Sequence, residues 1–226
     1  MESRSKGRSV ADVLRAVSLS TQNFTVHQEK TLRALSYCRT AALGGHIDAC
    51  DSCGNLSISY NSCRNRHCPQ CQGHKREEWI QKREQELLPC SYYHVVFTLP
   101  EELNGLAISQ PALLYKTLFE AAWATLNQFG KNKGIQLGMI AILHTWGQNL
   151  SLHPHLHCIV PGGGINKQGK WRAKIKSDKY LFCVKAMSKD FRAKFVASLR
   201  ASGIKDQNLI DQLFTKNWVV YAKRPF

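Results

Sequence analysis

The sequence predicts an α+β protein in two parts: N-terminal helices with a small cysteine-rich module, then a largely antiparallel sheet flanked by helices. Three observations carry that prediction. Five of the nine cysteines fall between Cys50 and Cys71. From Ser91 onward, strand-like and helix-like stretches interleave, and the strands can pair as sequential neighbours. The stretch "SLHPHLHCIV", Ser151 to Val160, sets His153, His155 and His157 on alternate positions, which is the period of a β-strand.

In chain order, residues 9–20 and 25–43 read as two helices. Each opens on a capping box, Ser9 with Asp12 and Thr25 with Gln28, and Gly44-Gly45 stops the second. Residues 46–72 are rich in Cys and His and poor in large apolar residues. "GHKREEWIQKREQELL", Gly73 to Leu88, is a charged helix ended by Pro89, so the first part spans 1–90 and the second 91–226. "YYHVVFTLP" is a strand ended by Pro100. Pro111 to Phe129 is a helix with Pro at its start and Gly130 at its end. "IQLGMIAILHTW" is an apolar strand. The histidine strand then begins after Pro154 and runs into the turn "PGGG". "KQGKWRAKIKSDKYLFCV" reads as a basic hairpin around Trp171. Ser188 to Ser202 is an amphipathic helix closed by Gly203, a short helix near 206–215 follows, and "NWVVYAKRPF" is the last strand.

Composition narrows the function. No apolar run approaches the ~20 residues of a membrane span, and the N-terminus lacks a signal-peptide core, so a cytoplasmic protein is expected. The formal net charge is +15, and from Lys131 to Phe226 there are 17 Lys/Arg against four acids. Such an excess points to a polyanion partner, nucleic acid first.

Two groups of residues have metal-ligand character. Cys50-x2-Cys53 and Cys68-x2-Cys71, separated by 14 residues, fit two knuckles around a tetrahedral structural Zn²⁺, with His46, Cys63 and His67 as further candidate ligands. The loop also carries Arg64 and Arg66, suited to phosphate contact. In the second group, His155 and His157 point to one side of their strand while Leu156 points to the other. Nitrogen ligands at an open site favour a catalytic divalent ion acting on a phosphate. His144 is the first candidate for a third ligand, because an antiparallel pairing would bring it close. Gln148 and His94 are others, and His153 is displaced beyond Pro154. Lys170, Trp171, Arg172, Lys174 and Lys176 form a basic segment with an aromatic residue suited to stacking on unpaired bases.

"FTLP", "HTWGQNLSLHPHLHCIVPGGG" and "CDSCG…SYNSCRNRHCPQCQ" together resemble the two-tyrosine rolling-circle insertion-sequence transposases of the HUH (His-hydrophobic-His) endonuclease superfamily, with their N-terminal zinc-binding domain. The resemblance runs from about His27 to Phe226. It implies an antiparallel HUH-type nuclease sheet with the histidine strand central and the "FTLP" strand close by. It also implies Mg²⁺ or Mn²⁺ on His155 and His157, and zinc on Cys50, Cys53, Cys68 and Cys71. The implied activity is nicking and rejoining of single-stranded or hairpin DNA at transposon ends, in association with the nucleoid. In the family the catalytic tyrosines follow the strand matching "WVVYAKRPF", so the nucleophile is expected downstream of Phe226. Tyr221 reads as structural, and residues 1–226 alone are expected to be inactive. The alternative is a non-cleaving fragment that recognises transposon ends or inhibits the complete enzyme.

Overall fold

A computed structural model describes residues 9–17, 24–173 and 181–226. It divides into two compact units, 1–87 and 88–226. The basic residues Lys174 and Lys176, and the predicted tail of the first helix at 18–20, lie outside the described residues.

The first unit begins with α1 (Val10–Ala16) and α2 (Val26–Ser36). Both predicted capping boxes form: Asp12 accepts from Ser9 N–H at 2.7 Å, and Gln28 Oε1 accepts from Thr25 N–H at 2.8 Å. α2 stops at Ser36, well short of the glycine pair, because Arg39 turns into the left-handed region at φ +54. Arg15 donates to Ser36 O at 2.6 Å, satisfying a carbonyl at the end of α2. The chain then forms a hairpin of β1 (Gly45–Ala49) and β2 (Leu56–Tyr60). α3 (Pro69–Gln85) starts four residues earlier than its charge pattern suggested, with Pro69 at the first helical position, where its missing N–H costs nothing. Among the described residues of this unit only Ala11, Leu35, Cys38 and Cys68 are buried. That is too little apolar burial to hold the unit together by itself.

The second unit is a two-layer sandwich. Its sheet has the order β4-β5-β3-β8, all antiparallel, formed by β3 (Tyr92–Thr98), β4 (Ile140–Trp146), β5 (Leu152–Pro161) and β8 (Val220–Ala222). The histidine strand β5 is interior and the "FTLP" strand β3 is its neighbour. One face of the sheet buries Val95, Phe97, Leu156, Cys158 and Val160, each 0% exposed. They pack in one core with α5 (Pro111–Lys131) and α6 (Val184–Ala201). α4 (Asn104–Ser109), α7 (Gln207–Thr215) and the small hairpin of β6 (Gly163–Ile165) with β7 (Trp171–Ala173) complete the described residues. α4 has no counterpart in the sequence reading, and α6 begins four residues before its expected start at Ser188. In the "PGGG" turn, a Cβ on Gly164 would lie 2.2 Å from Gln136 O, so the bridge between these backbones requires glycine there.

Pro154 lies within β5, not before it. The register slips between the His144↔His155 and Trp146↔Leu152 pairs, and the proline sits at that irregularity, where no ladder N–H is required. Its carbonyl still accepts from Leu99 N–H at 3.1 Å.

Candidate functional site

The strand period sets the face of each histidine, and the register sets its neighbours. On β5, Leu156 and Cys158 enter the core, which turns His155 and His157 to the opposite face. β4 places His144 directly across from His155. One ring nitrogen from each of His144, His155 and His157 falls within 4.8 Å of the others. The candidate third ligand is therefore beside the pair, and the hairpin through Gly147–Ser151 brings it there.

The hydrogen bonds favour free Nε2 atoms. His155 Nδ1–H donates to His153 O at 2.6 Å; a carbonyl only accepts, so this ring carries its proton on Nδ1 and offers Nε2. His157 Nδ1 lies 2.7 Å from His94 Nε2, and the two rings stack at 5.0 Å and 12°. His94, on β3, thus engages the Nδ1 side of His157 and is not itself in the three-histidine group. Burial lowers the His157 pKa to about 4, assisted by the neighbouring His144, His155 and His94. Burial likewise lowers His144, and lowers His94 with help from Lys223. At neutral pH these rings are the neutral form that a metal binds. Gln148 and His153 line the same open cavity of 740 Å³, whose lining holds no carboxylate. Tyr221 shares the histidine face, since its register partner Val96 is also the partner of His157.

The thiolate cluster departs from the sequence reading. Cys68 and Cys71 group with Cys63 and Cys38, not with Cys50 and Cys53. Hairpin length is the reason. Cys38 and Cys63 lie near the base of the β1–β2 hairpin, where Arg39 N–H donates to Asn61 O at 3.1 Å. Cys50 and Cys53 sit at its tip, five strand residues away, which is roughly 17 Å. The candidate ligands His46 and His67 also stand outside the group: His46 lies 3.6 Å from Asp48, and Arg66 Nε donates to His67 Nε2 at 3.3 Å. Cys38 was missed because it precedes the paired knuckles by twelve residues without a CxxC partner of its own.

The Sγ atoms of Cys38–Cys71, Cys63–Cys71 and Cys38–Cys68 are 3.5, 3.6 and 3.6 Å apart. A disulfide needs about 2.05 Å. Tetrahedral zinc with bonds of ~2.3 Å puts its sulfurs about 3.8 Å apart, so these four residues fit the ion. Burial pushes the Cys38 thiol up to about 12. Burial also raises Cys71, but hydrogen bonds from Cys38, Cys63, Cys68 and the Arg64 backbone outweigh it and bring that thiol to about 7.

Of the expected DNA contacts, Arg64, Arg66, Lys170, Trp171 and Arg172 are all exposed, the last two on β7. No described helix is long and apolar enough to cross a membrane.

A family profile described as "Transposase zinc-binding domain" matches residues 10–99, and one described as "Putative transposase" matches 138–226. The chain is 40% identical over 244 residues to "Putative transposase y4qJ" of Sinorhizobium fredii, covering 97% of this chain and 61% of the relative. It is 34% identical over 145 residues to the transposase for insertion sequence element IS801 of Pseudomonas savastanoi pv. phaseolicola, covering 63% of this chain and 35% of the relative. It therefore spans 61% and 35% of the lengths of these two proteins. Among solved structures, the metal-free conjugative relaxase TrwC in complex with oriT DNA is similar at a TM-score of 0.40 and 15% identity, over 78% of this chain and 67% of that one. The metal-bound TrwC complex gives 0.38 and 18%, over 49% and 43%.

Proposed function

We propose that the chain belongs to the two-tyrosine insertion-sequence transposases that carry an N-terminal zinc-binding domain, and that it takes part in nicking and rejoining single-stranded DNA at transposon ends. The observation that carries the reading is the convergence of His144, His155 and His157 on an open, carboxylate-free cavity in a basic protein. In this reading the three rings hold Mg²⁺ or Mn²⁺, which polarises a scissile phosphate when bound. His153 O and His94 hold the Nδ1 sides of His155 and His157, which leaves Nε2 of these two rings free for the ion. Arg64, Arg66, Lys170 and Arg172 contact phosphates, and Trp171 stacks on an unpaired base. Cys38, Cys63, Cys68 and Cys71 bind a structural zinc.

The attacking group is a tyrosine hydroxyl. Its O–P bond forms as the bond to the leaving strand breaks, and its proton passes to the leaving oxygen. The ester keeps the energy of the broken linkage, so rejoining needs no ATP. We assign this role to a tyrosine outside residues 1–226. Among the described residues two tyrosines share the histidine face: Tyr92 accepts from Leu88 N–H at 2.7 Å, and Tyr221 lies two strands from His157, about 10 Å across the sheet.

The test uses the full-length transposase and single-stranded oligonucleotides bearing transposon ends. Cleavage should require Mg²⁺ or Mn²⁺ and vanish in the His155→Ala/His157→Ala variant, with DNA binding retained. End binding without any cleavage by the unmodified protein would favour the non-cleaving reading. A phosphotyrosine adduct mapped to Tyr221 would overturn the assignment of the nucleophile.

A further inference from the structure

Trp146 ends β4 on the histidine face and is 50% exposed. One side of its indole stacks on His144, with centroids 4.9 Å apart and planes at 14°. The loop that follows is held by its own hydrogen bonds. Gly147 N–H donates to Ser151 O at 2.9 Å, Leu150 N–H to Gly147 O at 3.0 Å, and Asn149 Oδ1 accepts from Ser151 N–H and Oγ–H at 3.1 and 2.6 Å. This loop presents Leu150 at φ +63 and 82% exposed. A branched apolar residue in the left-handed region, held out in water, is unfavourable for folding on both counts. The turn's hydrogen bonds fix the backbone there, and the side chain makes no part of the core.

Trp146 and the loop residues Gly147, Gln148, Asn149 and Ser151 line the cavity of the histidine triad. Its 740 Å³ lies within the range of about 300–1,000 Å³ typical of small-ligand sites. A π-face beside ligands for a phosphate-directed metal, with an exposed aliphatic side chain on the adjoining loop, matches the chemistry of a nucleotide whose base is unstacked from its neighbours. We propose that Trp146 and the Gly147–Ser151 loop form a nucleobase subsite, in which an unpaired base next to the phosphate at the triad stacks on Trp146 and Leu150 packs against that base or its neighbour. The subsite rests on the reading of the triad as a DNA phosphate site.

The experiment compares two oligomers of equal length, oligothymidylate and the same phosphate backbone made entirely of abasic residues, binding to the full chain in Mn²⁺. The unmodified protein should bind the thymidylate more tightly. Trp146→Ala should weaken thymidylate binding by about 5- to 150-fold, equivalent to ~1–3 kcal/mol of stacking, and change abasic binding by less than twofold. Trp146→Phe should recover part of the loss. Leu150→Gly, which relieves the backbone, should weaken thymidylate binding several-fold while leaving the fold intact by circular dichroism. Equal losses on both oligomers, or none on either, would overturn the subsite. If the unmodified protein binds both equally, the subsite fails and phosphate binding stands. If it binds neither, the DNA reading itself fails and the subsite with it.

Discussion

Replacing Cys38 by Ser tests which four thiolates organise the N-terminal unit. The described part of this unit buries only Ala11, Leu35, Cys38 and Cys68. Full burial of a leucine contributes about 1.5–3 kcal/mol, so the apolar contribution here is a few kcal/mol. Four thiolates around zinc contribute on the order of 10–16 kcal/mol. The metal therefore dominates, and a serine hydroxyl, which does not ionise at neutral pH, leaves three ligands. Cys38→Ser should lower tightly bound zinc from at least one per chain towards none. It should also open the region between residues 24 and 87 to protease. Cys50→Ser/Cys53→Ser, at the hairpin tip, should keep at least one zinc and remain resistant. Zinc released by a mercurial reagent and read with a colorimetric chelator gives the stoichiometry, and limited proteolysis gives the fold. Full zinc in Cys38→Ser together with its loss in the Cys50/Cys53 variant would refute the geometric assignment and restore the paired-CxxC one.

Three further outcomes are expected. His94→Ala should weaken Mn²⁺ binding by roughly 10- to 100-fold, the usual cost of losing a residue that orients a ligand. His94→Gln, which can still hydrogen-bond His157 Nδ1, should recover part of it in titrations followed by electron paramagnetic resonance; unchanged affinity in both would remove His94 from the site. Leu156→Ala, at a fully buried position between the two histidines, should cost about 2–5 kcal/mol in denaturant unfolding, and a loss under 1 kcal/mol would mean the strand is not packed as described. Lys216 bonds Glu102 and holds its carboxyl below the usual range. A carboxyl whose folded pKa is depressed stabilises the fold above its unfolded value and loses that contribution as pH falls through the folded one. Lys216→Ala should therefore lower the melting midpoint at neutral pH, with the difference closing in acid below the ordinary carboxylate range; a gap that persists there would exclude the ion pair as its cause.

Much of the histidine site was legible in the sequence because it depends on local geometry. A period of two turns His155 and His157 to one face wherever the strand forms, and the short connection from Trp146 to Leu152 makes the pairing of His144 with His155 the natural outcome. The capping boxes of α1 and α2 are likewise set within four residues. What tertiary structure decided was the register between strands distant in sequence, the slip at Pro154 and the path of the cysteine-bearing hairpin. His94 meets His157 only because β3 pairs with β5 in one register out of several that would also have buried Val95 and Phe97. The tolerance of Pro154 inside a strand followed from a slip against β4 that no local pattern signals. The choice among cysteines was decided in the same way. Even spacing along the chain suggested two matching knuckles, but thiolates converge in space, and the hairpin carries Cys50 and Cys53 to its tip while folding Cys38 and Cys63 together near its base.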